Sequence, residues 1–172
     1  MTASRDIRML VRYAQWAGSR LFSVLEPLPA SELVAPRAAG PGNLLSMLGT
    51  LAHCHRVDLI WKGHLEGRPH GFSSRIPDRL PPLDELRANQ AEVDTWYVAY
   101  ADSLTEPMQQ QVLRFDFVDG SSGSMSRGDM LLHVVNHKTY HRGYVAQMLY
   151  QAGAKPPVMD LPVFLRDTEP RV

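Results

Sequence analysis

His133-Val134-Val135-Asn136-His137-Lys138-Thr139-Tyr140-His141-Arg142-Gly143 lies inside an amphipathic run from about Ser126 to Gln151. Three of the chain's seven histidines fall here, each four residues from the last. Four residues is a little over one helical turn, so neighbouring members of the series stand one above another on a single face. An i, i+4 imidazole pair is an economical way for a helix to offer two nitrogen ligands to one metal ion. Ser126, three residues ahead of Asp129, has the spacing of a capping box and puts a carboxylate at the positive helix end. Leu131, Leu132, Val134, Val135, Val145, Met148 and Leu149 supply apolar surface, and Gly153 with Pro156 and Pro157 marks the stop.

Working outward, the Ser4–Glu26 segment carries Ile7, Leu10, Val11, Ala14, Ala17, Leu21, Val24 and Leu25 at the helical period. Ser4 is its expected N-cap, and Pro27 with Pro29 ends it. Trp16, beside Tyr13, falls off that stripe and is available to a second element or to a partner subunit. Residues 27 to 43 hold four prolines and two glycines, which predicts a loop with at most a turn near Ser31 to Val34. Asn43 is expected to cap a second helix running to about Glu66, with Leu44, Met47, Leu48, Leu51, Ala52, Leu59 and Ile60 in the core. That helix also carries His53, Cys54, His55, Asp58 and Trp61, and unpaired buried polar groups cost roughly 1–3 kcal/mol each. Residues 67 to 82 form another long loop, a kind of segment often tied to function. A third helix is expected from Leu83 to Ser103, with Leu86, Val93, Trp96 and Tyr100 inward. The alternation from Gln111 to Phe117 predicts a strand, and Asp119-Gly120 a turn leading to a hairpin or an extended crossover. A short helix is expected between Val158 and Arg166.

Four substantial helices with one decorated connection predict an all-α, four-helix bundle, a fold that builds metal sites from side chains on facing helices. With 172 residues, a single domain spanning 1–172 is expected. Lys plus Arg and Asp plus Glu each number 18, so no basic excess points to nucleic acid or an anionic membrane. The absence of a long apolar run and of a signal-like start argues against a membrane span and for the cytoplasm. The lone cysteine, Cys54, cannot form an internal disulfide, which fits a reducing compartment.

His137 and His141 alone are as compatible with core-edge residues as with ligands. Their apolar setting and a further histidine, His53, on another apolar helix favour a metal. Three neutral imidazoles with an open position suit catalytic zinc, nickel, iron or cobalt. On spacing alone, His133/His137 competes with His137/His141, and His55 with His53. His64 and His70 are read as surface residues, and Cys54 as an inert core thiol. No nucleophile elbow, phosphate-binding glycine loop or HExxH motif is present.

The segment Asn136-His137-Lys138-Thr139-Tyr140-His141-Arg142-Gly143 resembles the N-H-x-T-x-H-R-G signature of the DinB family, the damage-inducible DinB/YfiT-like metalloenzymes. His53, Asp58 and Trp61 resemble its H-x4-D-x2-W motif, and Tyr13, Trp16 and Ala17 its Y-x2-W-A. Asp160-Leu161 with Phe164-Leu165-Arg166 resembles its closing segment. The resemblance implies an up-down-down-up bundle and a divalent ion, nickel or zinc before iron or manganese, on His53, His137 and His141. It also implies a homodimer. Relatives in the wider superfamily are thiol-dependent transferases and isomerases using bacillithiol or mycothiol. The expected function is therefore metal-dependent transfer of a low-molecular-weight thiol, or hydrolysis of a small molecule, with Asp58 or Arg142 orienting a ligand. The alternative is a non-catalytic metal-binding or stress-response dimer. One position departs from the pattern: Tyr144 stands where many members carry glutamine.

Overall fold

The computed structural model describes residues 3–37 and 42–168. In chain order it contains α1 (Ala3–Leu25), the one-turn α2 (Ala30–Val34), a 3-10 turn at Gly42–Leu45, and α3 (Met47–Glu66). There follow α4 (Leu83–Ser103), the short α5 (Glu106–Gln109), strands β1 (Val112–Asp116) and β2 (Ser122–Ser126), α6 (Arg127–Gln151) and α7 (Leu161–Thr168). No described helix is long and apolar enough to cross a membrane.

The ends of these elements follow local chemistry. Ser4, the expected cap of α1, falls inside that helix, which already begins at Ala3, and Asn43, the expected cap of α3, falls inside the 3-10 turn. α3 itself begins later than expected, at Met47, because the preceding residues form the 3-10 turn and Ser46 takes the capping position, accepting from the Gly49 amide. It ends at Gly67, whose φ of 67° is the left-handed conformation that closes a helix at least cost in glycine. α6 begins where the capping-box reading places it, with the Asp129 amide donating to Ser126 Oγ at 3.1 Å. The Gln111–Phe117 alternation becomes a hairpin, β1 antiparallel to β2 with Val112 opposite Ser126 and Asp116 opposite Ser122. Gly120, at φ 83°, makes the turn between the strands.

α1, α3, α4 and α6 make the bundle, in the ring order α1–α4–α3–α6. Side-chain pairings fix their directions. Arg8 of α1 reaches Ala101 and Leu104, and Glu26 meets Arg87, so α1 and α4 are antiparallel. His55 meets Gln90 and Asp58 meets Tyr97, so α3 and α4 run parallel. His53 meets His137 while Leu65 meets Arg127, so α3 and α6 are antiparallel. This is the up-down-down-up arrangement, and the parallel step explains why the 67–82 connection is long: it must travel the length of the bundle.

The apolar core has two halves. One, towards the hairpin, gathers Ile7, Val11, Trp61, Tyr97, Phe115 and Met130. The other gathers Leu21, Leu25, Met47, Leu51, Leu86 and Met148. Between them, at mid-height on every long helix but α1, lie buried polar side chains: His53 and Asp58 on α3, Gln90 and Asp94 on α4, Arg142 on α6.

The inward stripe of α4 differs from the expected one by a single position. Tyr97 and Ala101 are buried, whereas Trp96 and Tyr100 are half-buried and stack on one another with centroids 4.8 Å apart. Trp16 packs against Phe164 of α7 at 5.6 Å, and Tyr13 donates to the Met159 carbonyl at 2.8 Å. The aromatic residues outside the α1 stripe thus serve to dock the C-terminal helix.

Candidate metal centre

α3 and α6 meet at their middles, and there the imidazoles of His53, His137 and His141 converge. One ring nitrogen from each lies within 4.8 Å of the others. His53 Nε2 and His137 Nε2 are 3.2 Å apart. Two ligand nitrogens held tetrahedrally at roughly 2.0–2.1 Å from an ion stand about 3.3 Å apart, so this separation fits a shared metal. The other edge of His53 is committed: its Nδ1 lies 2.9 Å from the Arg75 carbonyl, so the N–H sits on Nδ1 and Nε2 presents its lone pair. That is the usual way an outer partner orients a metal-binding imidazole.

Electrostatics keep the trio neutral. Burial, then the charges of His141, His53 and His133, hold His137 down to about 3. Burial and His53 hold His141 down to about 4. Burial also lowers His53, against the opposing pull of the Arg75 carbonyl. Three imidazoles with free lone pairs at neutral pH are ready-made ligands. The buried Nδ1 atoms of His137 and His141 have no hydrogen-bond partner among the described atoms, a cost unexplained by packing.

Both competing histidines are placed elsewhere. His133 stacks against Trp61 at 4.6 Å, and His55 Nδ1 donates to Gln90 Oε1 at 3.0 Å. His64 and His70 are not surface residues; both are half-buried, with rings 5.2 Å apart, because the 67–82 loop folds back over α3. Cys54 is buried, and desolvation pushes its thiol up, as an inert core residue requires.

Asp58 does not face solvent. It is fully buried and pairs with Lys138 Nζ at 2.9 Å, while Gln90 Nε2 donates to Asp58 at 2.8 Å and to Asp94 at 2.9 Å. Lys138 also pairs with Asp94. Burial works to lower the Lys138 ammonium, but the two carboxylates overcome it and raise it above its ordinary value. Lys138 is the neighbour of His137 in sequence, so this network pins α6 to α3 and α4 beside the histidines. Lys138, Gln90 and Asp94 carried no expectation from sequence. The available signal was the i, i+4 pair Gln90/Asp94 on the apolar stripe of α4. Arg142 does not line the histidine cavity: it donates to Thr139 Oγ1 at 2.9 Å and lies over the Tyr13 ring.

Above the three histidines opens a cavity of about 680 Å³, walled by Trp61, His64, His133 and Tyr140, by residues 73–76 of the crossover loop, and by residues 117–119 at the hairpin tip. That volume suits a small-molecule ligand. A larger groove of about 970 Å³ runs between α1 and α4, on the opposite side of the bundle, with no histidine in it. Its Arg12, Arg20 and Arg87 are paired with Asp102, Asp167 and Glu26. The histidine cavity is the one that contains the candidate metal-ligating cluster.

Protein DinB of Bacillus subtilis (strain 168) is 28% identical over 173 residues, covering 93% of this chain and 95% of the relative. The family model described as DinB family matches residues 1–172. With the bundle, the hairpin before α6 and the histidine cluster in place, the chain belongs to the DinB family.

Proposed function

We propose that this single-domain chain is a metal-dependent enzyme acting on a small molecule, with a divalent ion held by His53, His137 and His141. The observation that carries the reading is the convergence of three neutral imidazoles, His53 buried and His137 and His141 half-buried, at the floor of an open cavity. Nickel or zinc, which imidazole ligands suit, is the favoured ion, with iron next and manganese, which prefers oxygen ligands, last. Such an ion supplies a Lewis acid that lowers the pKa of a thiol or water placed on it. The chemistry favoured is transfer of a low-molecular-weight thiol to an electrophile, with hydrolysis as the variant using water.

The chain's own residues supply the setting. Arg75, through its carbonyl, fixes the His53 tautomer. The Lys138 network fixes the height of α6. Trp61 and Tyr140 bound the space a substrate fills and exclude bulk water from one side. The reading includes a cytoplasmic homodimer, for which exposed Leu132, Tyr140, Tyr144 and Tyr150 on α6 offer apolar surface.

The test is elemental analysis of untagged protein. One divalent ion per chain is expected, lost in His53→Ala, His137→Ala and His141→Ala and kept in His133→Ala and His55→Ala. Wild-type protein that takes up none of these metals sinks the reading. Protein that binds its ion but admits no exogenous thiol or anion belongs instead to a non-catalytic metal-binding dimer.

A further inference from the structure

The crossover loop contributes more than a carbonyl to the cavity. Three successive carbonyls, of Ser74, Arg75 and Ile76, are held by side chains of α3. Arg56 Nη1 donates to Ser74 at 3.4 Å and to Ile76 at 3.0 Å, and His53 Nδ1 donates to Arg75 at 2.9 Å. Ser74 Oγ accepts from the Ile76 amide at 3.1 Å, and Arg56 lies over the Phe72 ring. Arg75 is thereby fixed on the cavity wall, directly beside a histidine of the cluster.

Its side chain is a cation without a carboxylate partner. Among the described residues the Arg75 guanidinium enters no ion pair, and the residue is exposed. Of the described residues lining the cavity, Arg75 is the one permanent cation and Asp119 the one carboxylate. Asp119 is already engaged, accepting from the Ser121 amide at 3.0 Å and from Ser121 Oγ at 2.6 Å. Arg75, exposed to solvent, lines the cavity together with His53, His137 and Asp119, which puts it at the rim above the histidines. Three neutral imidazoles add no negative charge to offset a divalent ion. The charges of Arg75 and Asp119 offset one another, so a net positive field arises only with a bound divalent ion; the guanidinium is nevertheless the side chain best suited to receive a carboxylate or phosphate in a forked pair.

We infer that Arg75 is a specificity-determining residue that selects substrates bearing an anionic group, a carboxylate in the simplest case, held at the cavity mouth while the reacting end of the molecule lies over the three histidines. The inference rests on the proposed metal reading for what binds that second end. The arginine's own contribution is separable, because substitution of its side chain leaves the carbonyl that orients His53 in place.

The experiment compares wild type with Arg75→Gln and Arg75→Lys after loading with cobalt(II), following the visible cobalt spectrum. The probes are 3-mercaptopropionate and the neutral 2-mercaptoethanol. Wild type should bind the mercaptopropionate about tenfold more tightly or better, the factor for one charge-assisted hydrogen bond. Arg75→Gln should bind the two thiols alike, with unchanged cobalt content and unchanged mercaptoethanol affinity, and Arg75→Lys should restore part of the preference. An absent preference in wild type, or one that survives in Arg75→Gln, overturns the inference, as does loss of cobalt in that variant. If wild type takes up no cobalt, the metal reading fails separately. Calorimetry of metal-free protein with malonate then decides the arginine: binding in wild type lost in Arg75→Gln sustains its role, and no binding in wild type ends it.

Discussion

Lys138 shows how a single residue can matter to a metal site that it does not touch. Its ammonium is held between Asp58 and Asp94 in the middle of the bundle, and Gln90 donates to both carboxylates, leaving Asp58 Oδ1 buried without a partner among the described atoms. A buried pair of this kind gains little over an apolar replacement, yet removing one member strands the others. Lys138→Met should therefore lower the unfolding free energy by about 3–5 kcal/mol, measured by urea denaturation. A loss below about 1 kcal/mol, the scale of a surface pair, would mean that water reaches the network. Asp58 gives the same site a pH signature. Burial raises its carboxyl to about 6 despite the attraction of Lys138. The folded state thus holds a proton on Asp58 that the unfolded chain has lost above its ordinary value near 3.8. Its stabilising contribution is full below that value and disappears as pH rises through about 6. Asp58→Asn should accordingly gain on wild type between about pH 4 and 6, and above that range the two should run parallel with the gain retained. Unfolding curves at several pH values check this, and a variant that falls further behind as pH rises would show that Lys138, not burial, governs the carboxyl.

At the scale of elements, the histidine helix is set by its first turn and the cavity by a loop. Ser126 caps α6 through the Asp129 amide, so Ser126→Ala should cost about 0.5–2 kcal/mol. The loss should appear as a lower melting temperature with metal content intact. Arg56→Ala removes the clamp on Ser74 and Ile76 and should speed hydrogen exchange from Phe72 to Ile76 while α3 stays protected. Uniform exchange across both would assign Arg56 to the helix instead of the loop. These two elements also mark what sequence makes legible. The apolar period and its proline and glycine stops place the ends of α1, α4 and α6 to within about a residue, and the capping spacing marks the start of α6, although the inward stripe of α4 lies one position on from the expected one. The start of α3 is displaced because the 3-10 turn, a tertiary choice, competes with Asn43 for the cap. Spacing alone leaves His133/His137 level with His137/His141 and His55 with His53; the family motif picks out His53, His137 and His141 in the sequence, and the meeting of α3 and α6 brings those three together. Arg75 and the hairpin tip carry no local signature; they become cavity walls because the parallel α3–α4 step forces a long crossover past the histidines.

Across the whole molecule, the polar layer divides two apolar halves that could each slide along the bundle axis were they purely hydrophobic, since such contacts are non-directional. The Lys138 network joins α3, α4 and α6 at one height, and the histidine cluster joins α3 to α6 at the same level. A metal on those histidines would tie together residues 84 apart in the chain, and it would bind the folded state alone, because no preformed trio exists in the unfolded chain. Binding of that kind stabilises by mass action, by about 2.7 kcal/mol when free metal is a hundredfold above its dissociation constant. For a protein of this size the corresponding rise in melting temperature is roughly 5–11 °C. Scanning calorimetry of metal-free and metal-loaded protein should show that rise in wild type, His133→Ala and His55→Ala, and its loss in His53→Ala, His137→Ala and His141→Ala. The metal-free His137→Ala protein should be no less stable than metal-free wild type beyond the loss of packing, because its unpartnered buried nitrogen is gone. A rise that persists in the His53, His137 or His141 variants would place the ion elsewhere in the molecule and leave the histidines as a polar layer whose function is register alone.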